Sequence, residues 1–151
     1  HQDGLAAVIE FAAGLPEVDA SQMGLITFSY GVTMGSGTLA RHRELPIDWF
    51  IDWEGPADRF DTGGCGAEAI GHLQQVASCD DETFWAEREA LTFISDVKVP
   101  YLRLQGESDH VQPDNEHALA MINAALNGGN QWVRLIICPS ISPFLLIIHP
   151  I

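Results

Sequence analysis

The sequence predicts an α/β fold, a mostly parallel sheet flanked by helices. Short apolar runs alternate along the chain with stretches whose apolar residues recur at helical spacing, and the links between them are short. This alternation is typical of βαβ units. With 151 residues, 46% of them hydrophobic, the chain is long enough to bury a substantial core. We therefore expect a single domain over residues 1–151.

The composition is strongly acidic. The formal net charge of −14 comes from 21 acidic and 7 basic residues. Nucleic acids and anionic membranes attract basic patches, so we expect neither as a partner. No apolar run approaches membrane-spanning length. The first residues, His1-Gln2-Asp3, include neither Met nor the basic start of a signal peptide. We therefore expect a piece of a longer chain or a processed product, and a cytoplasmic and a secreted location both stay open.

The first half of the chain predicts two helices and two strands. The first helix carries its apolar residues at helical spacing, at Leu5, Val8, Ile9 and Ala12. Met23–Phe28 reads as a strand that is apolar on both faces, as expected inside a parallel sheet. Val32–His42 is the next helix, although Gly35 and Gly37 each lower its propensity by about 1 kcal/mol. That cost is tolerable if the helix packs tightly on the sheet. Ile47–Trp53, rich in aromatic and β-branched residues, is the second strand.

Residues 54–94 predict a cap-like excursion over the edge of the sheet. Glycines interrupt 54–79, whereas 80–94 regains a helical pattern with acidic residues in its first turn. The third strand is Val97–Gln105 and the last is Gln131–Ile137, with a helix between them.

Thr27-Phe28-Ser29-Tyr30-Gly31 stands between the first strand and the helix that follows it. A serine nucleophile must project from a sharp bend flanked by small residues, so that nearby N–H groups are free to hold an oxyanion. The segment resembles the nucleophile elbow of α/β-hydrolases, G-x-S-x-G, with Thr27 in place of the first glycine. With the preceding Asp3–Phe11, it is most similar to dienelactone-hydrolase-like and prolyl-oligopeptidase-like members. The resemblance implies that Ser29 is the nucleophile and the Tyr30 N–H an oxyanion donor.

A second segment, Pro100–Val111, resembles the α/β-hydrolase strand that delivers the catalytic acid. A strand runs into Gly106, and Asp109 follows near its carboxyl end, where catalytic groups of open α/β sheets cluster. An acid at this place orients a histidine and stabilises its imidazolium form. Serine also precedes acid, as the family's chain order demands. The resemblance implies that Asp109 is the triad acid, and the alternative is a turn aspartate that caps its own loop.

The family order places the triad histidine after the acid and beyond the last strand. His149 has that position, in an apolar tail broken by prolines. His110 is adjacent to Asp109 and cannot easily face it. We expect His117 to face solvent, in the first turn of a helix that opens near Asp114. His149 is therefore the candidate, and the alternative is a histidine outside this chain.

The resemblance implies a partial α/β-hydrolase fold with a mostly parallel sheet. It also implies a hydrolase that transfers an acyl group to water through an acyl-enzyme, and this reaction needs no cofactor or metal. The implied substrate is a small-molecule ester or a peptide. Two alternatives stay open. One is a non-catalytic fragment or pseudoenzyme that retains the fold for binding, and the other is an α/β-hydrolase that acts on bonds other than esters.

Asp52 is a reserve candidate for the triad acid, because some α/β-hydrolases carry their acid after the second of these strands. The alternative, a solvated acidic rim shared with Glu54 and Asp58, is favoured. Four aromatic residues either wall an apolar acyl pocket or pack in the core: Trp49, Trp53, Phe84 and Trp85.

Cys65, His72 and Cys79 are a candidate zinc site. Their spacing is wide and a fourth ligand is unclear, so a Cys65–Cys79 disulfide, or free thiols, is preferred. Cys138 is left over from that pairing.

Overall fold

The computed structural model describes residues 1–60, 65, 77–107 and 115–139. These residues form five helices and four strands, in the order α1 (Gln2–Ala13), β1 (Gly24–Phe28), α2 (Gly31–Arg41), β2 (Trp49–Trp53), α3 (Glu82–Ala86), α4 (Ala90–Ile94), β3 (Tyr101–Gly106), α5 (Glu116–Asn127) and β4 (Val133–Cys138). Among the described residues, no helix combines the length and apolar character that crossing a bilayer would require.

The four strands form one parallel sheet in the order β1-β2-β3-β4. This confirms the predicted fold class. Each strand pairs with the next one along the chain, and right-handed crossovers that all progress in one direction place their helices on one face. In agreement, α2 packs on β1, α5 packs on β3 and β4, and α1 and α4 pack on α2.

The core lies between the sheet and these helices. Phe50 of β2 and Tyr101 of β3 stack there with ring centroids 5.5 Å apart. Val32, Ile94 and Met121 are fully buried around them. The tight packing that would make the glycines of α2 tolerable is present at Gly35, where a Cβ atom would lie 2.6 Å from Cγ2 of Thr27. The helix can approach β1 this closely only without a side chain at that position.

The opposite face of the sheet is apolar and exposed. Ile26 is 61% exposed, Phe28 57% and Ile136 47%. A groove of about 430 Å³ runs along this face, and its lining includes Trp49, Leu102 and Trp132. Contiguous exposed apolar surface of this kind is unusual on a soluble monomer.

The predicted helix over 80–94 is wrong as a single element. The chain forms two short helices, α3 and α4, because Glu89 between them is extended, with φ −98° and ψ 128°. Its carboxylate accepts from the backbone and the side chain of Arg59. A buried tertiary contact therefore overrides the local helical periodicity.

Candidate active site

Ser29 stands at a sharp bend between β1, which ends at Phe28, and α2, which begins at Gly31. Its φ is +53°, and only Glu54 shares a positive φ among the non-glycine residues described. Such a conformation costs on the order of 1–3 kcal/mol for a residue with a side chain and persists only where its surroundings impose it. The strand, the strained serine and the helix follow one another as the elbow motif predicts.

Backbone contacts with the end of β2 hold the bend. The Ser29 N–H donates to the Trp53 carbonyl at 2.9 Å, and the Val32 N–H donates to the Ser29 carbonyl at 3.1 Å. Gly55 lies directly against the bend, since a Cβ there would be 2.3 Å from Cγ1 of Val32 and 2.7 Å from the backbone carbonyl oxygen of Ser29. Only glycine fits this approach.

Thr27, which replaces the first glycine of the motif, is accommodated by α2. A Cβ at Gly31 would lie 3.4 Å from Cβ of Thr27, and a Cβ at Gly35 would contact Cγ2 of the same side chain. The threonine methyl group therefore occupies space that side chains at these two helix positions would fill. The bend at Ser29 forms with threonine in place of glycine.

Tyr30 is the N-cap residue of α2, and its side chain is 57% exposed. N–H groups at a helix amino end lack intrahelical acceptors and favour anions. The predicted oxyanion donor is thus at the amino end of a helix, next to Ser29. Its role stays a prediction.

The other predicted triad residues, Asp109 and His149, lie outside the described residues, as does His110. The strands that precede Asp109 and His149, β3 and β4, are parallel to β1, and the register pairs Gly106 with Cys138 at their ends. All three strands therefore end at the same edge of the sheet. The assignments of Asp109 and His149 remain predictions.

The expectation that His117 faces solvent is wrong, because this side chain is fully buried on α5. Its position is explained by helical spacing: His117, Met121 and Ala125 recur every four residues, and all three are buried. This spacing was the sequence signal for its burial.

Asp52 does not lie on a solvated rim, so the favoured expectation for it is wrong. It lies inside β2 and is fully buried. Nη1 of Arg103 donates to its Oδ2 at 2.5 Å, and the Tyr101 hydroxyl donates to the same oxygen at 3.1 Å. Burial of the tyrosine, together with the Asp52 charge, raises the pKa of the Tyr101 hydroxyl well above its ordinary value. We interpret Asp52 as half of a structural ion pair.

Arg59 ties the segment after β2 to α3 and α4. It is 4% exposed and forms ion pairs with Glu89 at 3.0 Å and with Glu82. Its Nε donates to the Cys79 carbonyl at 2.9 Å, and its own carbonyl accepts from the Cys65 N–H at 2.9 Å. Sequence reasoning missed this cluster, because partners 20 to 30 positions away along the chain leave no local pattern.

Cys65 and Cys79 form a disulfide, with Cα atoms 5.7 Å apart, as preferred from the sequence. This bond uses both sulfur atoms that the zinc alternative requires. His72, the third residue of that alternative, lies outside the described residues.

The four candidate pocket aromatics do not form one wall, although Phe84 and Trp85, neighbours in α3, pack edge-on with centroids 5.0 Å apart. Trp49 lines the groove on the exposed face of the sheet, whereas Trp85 is buried beside Tyr30 and donates from Nε1 to the Ser78 carbonyl at 2.8 Å. Trp53 packs edge-on against Phe28, with centroids 5.6 Å apart. A cleft of about 310 Å³ next to the elbow is lined instead by a mixed set: His1, Gln2, Asp3, Tyr30, Thr33, Met34, Arg41, Glu87 and Arg88.

Solved structures share this fold. The chain is similar to Pyrococcus horikoshii acylaminoacyl peptidase, with a TM-score of 0.68, 18% identity and coverage of 89% of this chain and 22% of that one. Porphyromonas gingivalis dipeptidyl peptidase 4 has a TM-score of 0.67 and 19% identity over 90% of this chain and 18% of its own. A dienelactone hydrolase-like protein of Klebsiella pneumoniae has a TM-score of 0.61 and 15% identity over 91% of this chain and 47% of its own.

These neighbours are α/β-hydrolases, so the chain has the fold of a part of that superfamily. It spans about a fifth of the length of the two peptidases and about half of the dienelactone hydrolase-like protein. No protein-family model matches the sequence, and the search of curated proteins found no match.

Proposed function

We propose that this chain is the nucleophile-bearing part of a serine hydrolase that cleaves an ester or amide bond through an acyl-enzyme on Ser29. The observation that carries the proposal is the positive φ of Ser29 at the bend between β1 and α2. A serine in this conformation presents its hydroxyl at the rim of the sheet, beside the amino end of a helix.

In the proposed reaction, Oγ of Ser29 attacks the substrate carbonyl and forms a tetrahedral intermediate. The Tyr30 N–H donates to the oxyanion of that intermediate. A histidine takes the serine proton and returns it to the leaving group, and Asp109 orients that histidine and stabilises its charged form. His149 is the proposed histidine by its place in the chain. Water then hydrolyses the acyl-enzyme, and the reaction requires neither cofactor nor metal.

The proposed substrate is a small-molecule ester or a peptide. The neighbours named as peptidases and as a dienelactone hydrolase support this reaction class. The net charge of −14 argues against nucleic acids and anionic membranes as partners.

A fluorophosphonate probe tests the role of Ser29, because it reacts covalently with activated serines. We expect labelling of the protein, loss of labelling in Ser29→Ala, and unchanged labelling in Ser21→Ala, an exposed serine that is hydrogen-bonded to Asp19. Labelling that persists in folded Ser29→Ala would remove Ser29 from the proposed role.

The alternative is a non-catalytic piece that keeps the fold for binding. This alternative is favoured by the small share of the two peptidases, 22% and 18% of their length, that the chain covers. Turnover of a short-chain nitrophenyl ester separates the two. Turnover that depends on Ser29, in this chain or in a longer form that contains it, supports the hydrolase. If every folded form is inactive and unlabelled, the binding role is the better explanation.

A further inference from the structure

A buried arginine one strand beyond β2 contacts the turn on which the elbow rests. Arg103 is fully buried in β3, and the register aligns it with Asp52 of β2 and Thr27 of β1. Its Nη1 donates to Oδ2 of Asp52 at 2.5 Å, and its Nη2 donates to the Gly55 carbonyl at 2.6 Å. One guanidinium therefore contacts the Asp52 side chain, inside β2, and the Gly55 backbone beyond it. Residues 52–55, in which the chain leaves β2 and bends at Glu54, are called the Asp52–Gly55 turn below.

This turn is strained, and the elbow depends on it. Glu54, at its centre, has φ +49°. The carbonyl of Trp53, beside it, accepts the Ser29 N–H, and Gly55 lies against the Ser29 carbonyl. If the turn relaxes, the acceptor of the Ser29 N–H and the surface that supports the bend both move.

The remaining contacts fix the plane of the guanidinium. Oε1 of Gln105 accepts from Nε of Arg103 at 3.2 Å and from Nη2 at 3.0 Å. A planar fork with several fixed donors holds three acceptors in a set geometry, whereas a lysine ammonium is a point charge on a flexible stem. The arrangement suits arginine specifically.

We propose that Arg103 is a positioning residue for the nucleophile: by holding the Asp52–Gly55 turn, it keeps Ser29 in its reactive conformation. The effect of Arg103 on activity rests on the proposed function of Ser29. Its effect on the backbone of the elbow is independent of that function.

Two variants test this role. Arg103→Lys keeps the charge but loses the fork. The double variant Asp52→Leu/Arg103→Met replaces the buried pair with apolar side chains, a change that is often neutral or stabilising. This variant still lacks the hydrogen bond from Arg103 to the Gly55 carbonyl. It therefore tests the positioning of Ser29 in a protein whose stability we expect to be preserved. Met121→Ala, a core truncation on α5 away from the elbow, is the control for general loss of stability.

We expect both variants to be folded by circular dichroism, and their rate of fluorophosphonate labelling at Ser29 to fall by about 10- to 100-fold. In ester turnover, kcat should fall while KM stays close to that of the wild type. Met121→Ala should label at the wild-type rate. A folded double variant that labels as fast as the wild type would overturn the proposal.

Amide hydrogen exchange keeps the proposal testable apart from activity. The Ser29 amide should exchange faster in both variants, whereas the Phe50 amide, bonded to the Pro100 carbonyl at the other end of β2, should not change. Unchanged exchange at Ser29 would reject the positioning role. Wild-type protein that is folded but never labelled would reject the proposed function alone, and the exchange data would then decide the role of Arg103.

Discussion

Gly55 is a single residue on which the geometry of the elbow depends. Its backbone lies so close to Val32 and the Ser29 carbonyl that a Cβ would come within 2.7 Å of both. One of these contacts is to backbone, which cannot rotate away as a flexible side chain can. The requirement for glycine here comes from the bend at Ser29 and the first turn of α2, which pack against Gly55.

We predict that Gly55→Ala lowers the free energy of unfolding by about 1–3 kcal/mol, because the added methyl group overpacks the elbow. The matched control is Gly4→Ala in α1, where the added Cβ has no atom within 4 Å among the described residues outside the adjacent backbone of its own helix. That change should raise the free energy of unfolding by about 0.4–1 kcal/mol through helix propensity and unfolded-state entropy. Urea denaturation measures both, and a Gly55→Ala variant as stable as the wild type would contradict the close approach.

At the scale of elements, the segment after β2 is held by one buried arginine. Arg59 connects it to α3 through Glu82 and to the residue before α4 through Glu89, which is 11% exposed. The loss of the guanidinium would leave a carboxylate buried without its charge partner.

We predict that Arg59→Met lowers the free energy of unfolding by about 3–5 kcal/mol, because it breaks a buried pair from one side. The comparison is Arg43→Met, which removes the Arg43–Asp96 pair, 2.6 Å long and more than half exposed on both sides. An exposed pair contributes at most about 1 kcal/mol. Equal losses in the two variants would show that burial of Arg59 does not decide its contribution.

The contact between α1 and the end of α2 should depend on pH. Nε2 of His42 lies 3.0 Å from Oδ1 of Asp3. The hydrogen bond to Asp3 raises the pKa of His42, and the hydrogen bond to His42 lowers the pKa of Asp3. The histidine's contribution is complete below its ordinary pKa of 6.5 and is lost as pH rises through the raised pKa. The aspartate's contribution is complete above its ordinary pKa of 3.8 and is lost as pH falls through the lowered pKa.

The melting temperature of the wild type should therefore exceed that of His42→Gln by a small margin between about pH 4 and about pH 6.5. The margin should shrink on both sides of this window. Asp3→Asn should show a smaller margin over the same window, because Glu44, 3.5 Å from Nδ1 of His42, still raises the pKa of the histidine. A margin that does not change with pH would mean that packing of the ring, and not its charge, connects the two helices.

The sequence predicted the elements well where the signal was local. The apolar runs located all four strands, and the elbow motif located Ser29 at the end of β1. The errors arose where distant residues decide the structure. Glu89 is extended and pairs with Arg59, 30 positions away, and Arg103 pairs with Asp52, 51 positions away. No periodicity or motif carries such pairings, so a network that is central to the elbow had no sequence signal.

At the scale of the molecule, the helices of the described chain protect one face of the sheet only. The side chains of the other face include Ile26, Phe28 and Ile136, each more than 40% exposed. The net charge of −14 makes copies of the chain repel one another, but it does not remove this apolar surface from water. The sheet therefore has one face that packs in the core and one face whose apolar side chains are exposed among the described residues.

We predict that the protein binds the dye anilinonaphthalene sulfonate in its native state, and that Ile136→Lys weakens this binding. Ile136 of β4 itself lines the groove, together with Trp49 and Trp132, so a charge there makes the groove less apolar. Because position 136 is already 47% exposed, the free energy of unfolding should change by no more than about 0.5 kcal/mol. The matched control is Ile94→Lys at a fully buried position, which should unfold the protein. Native protein that binds no dye, or an Ile136→Lys variant as unstable as Ile94→Lys, would mean that this face is covered in solution.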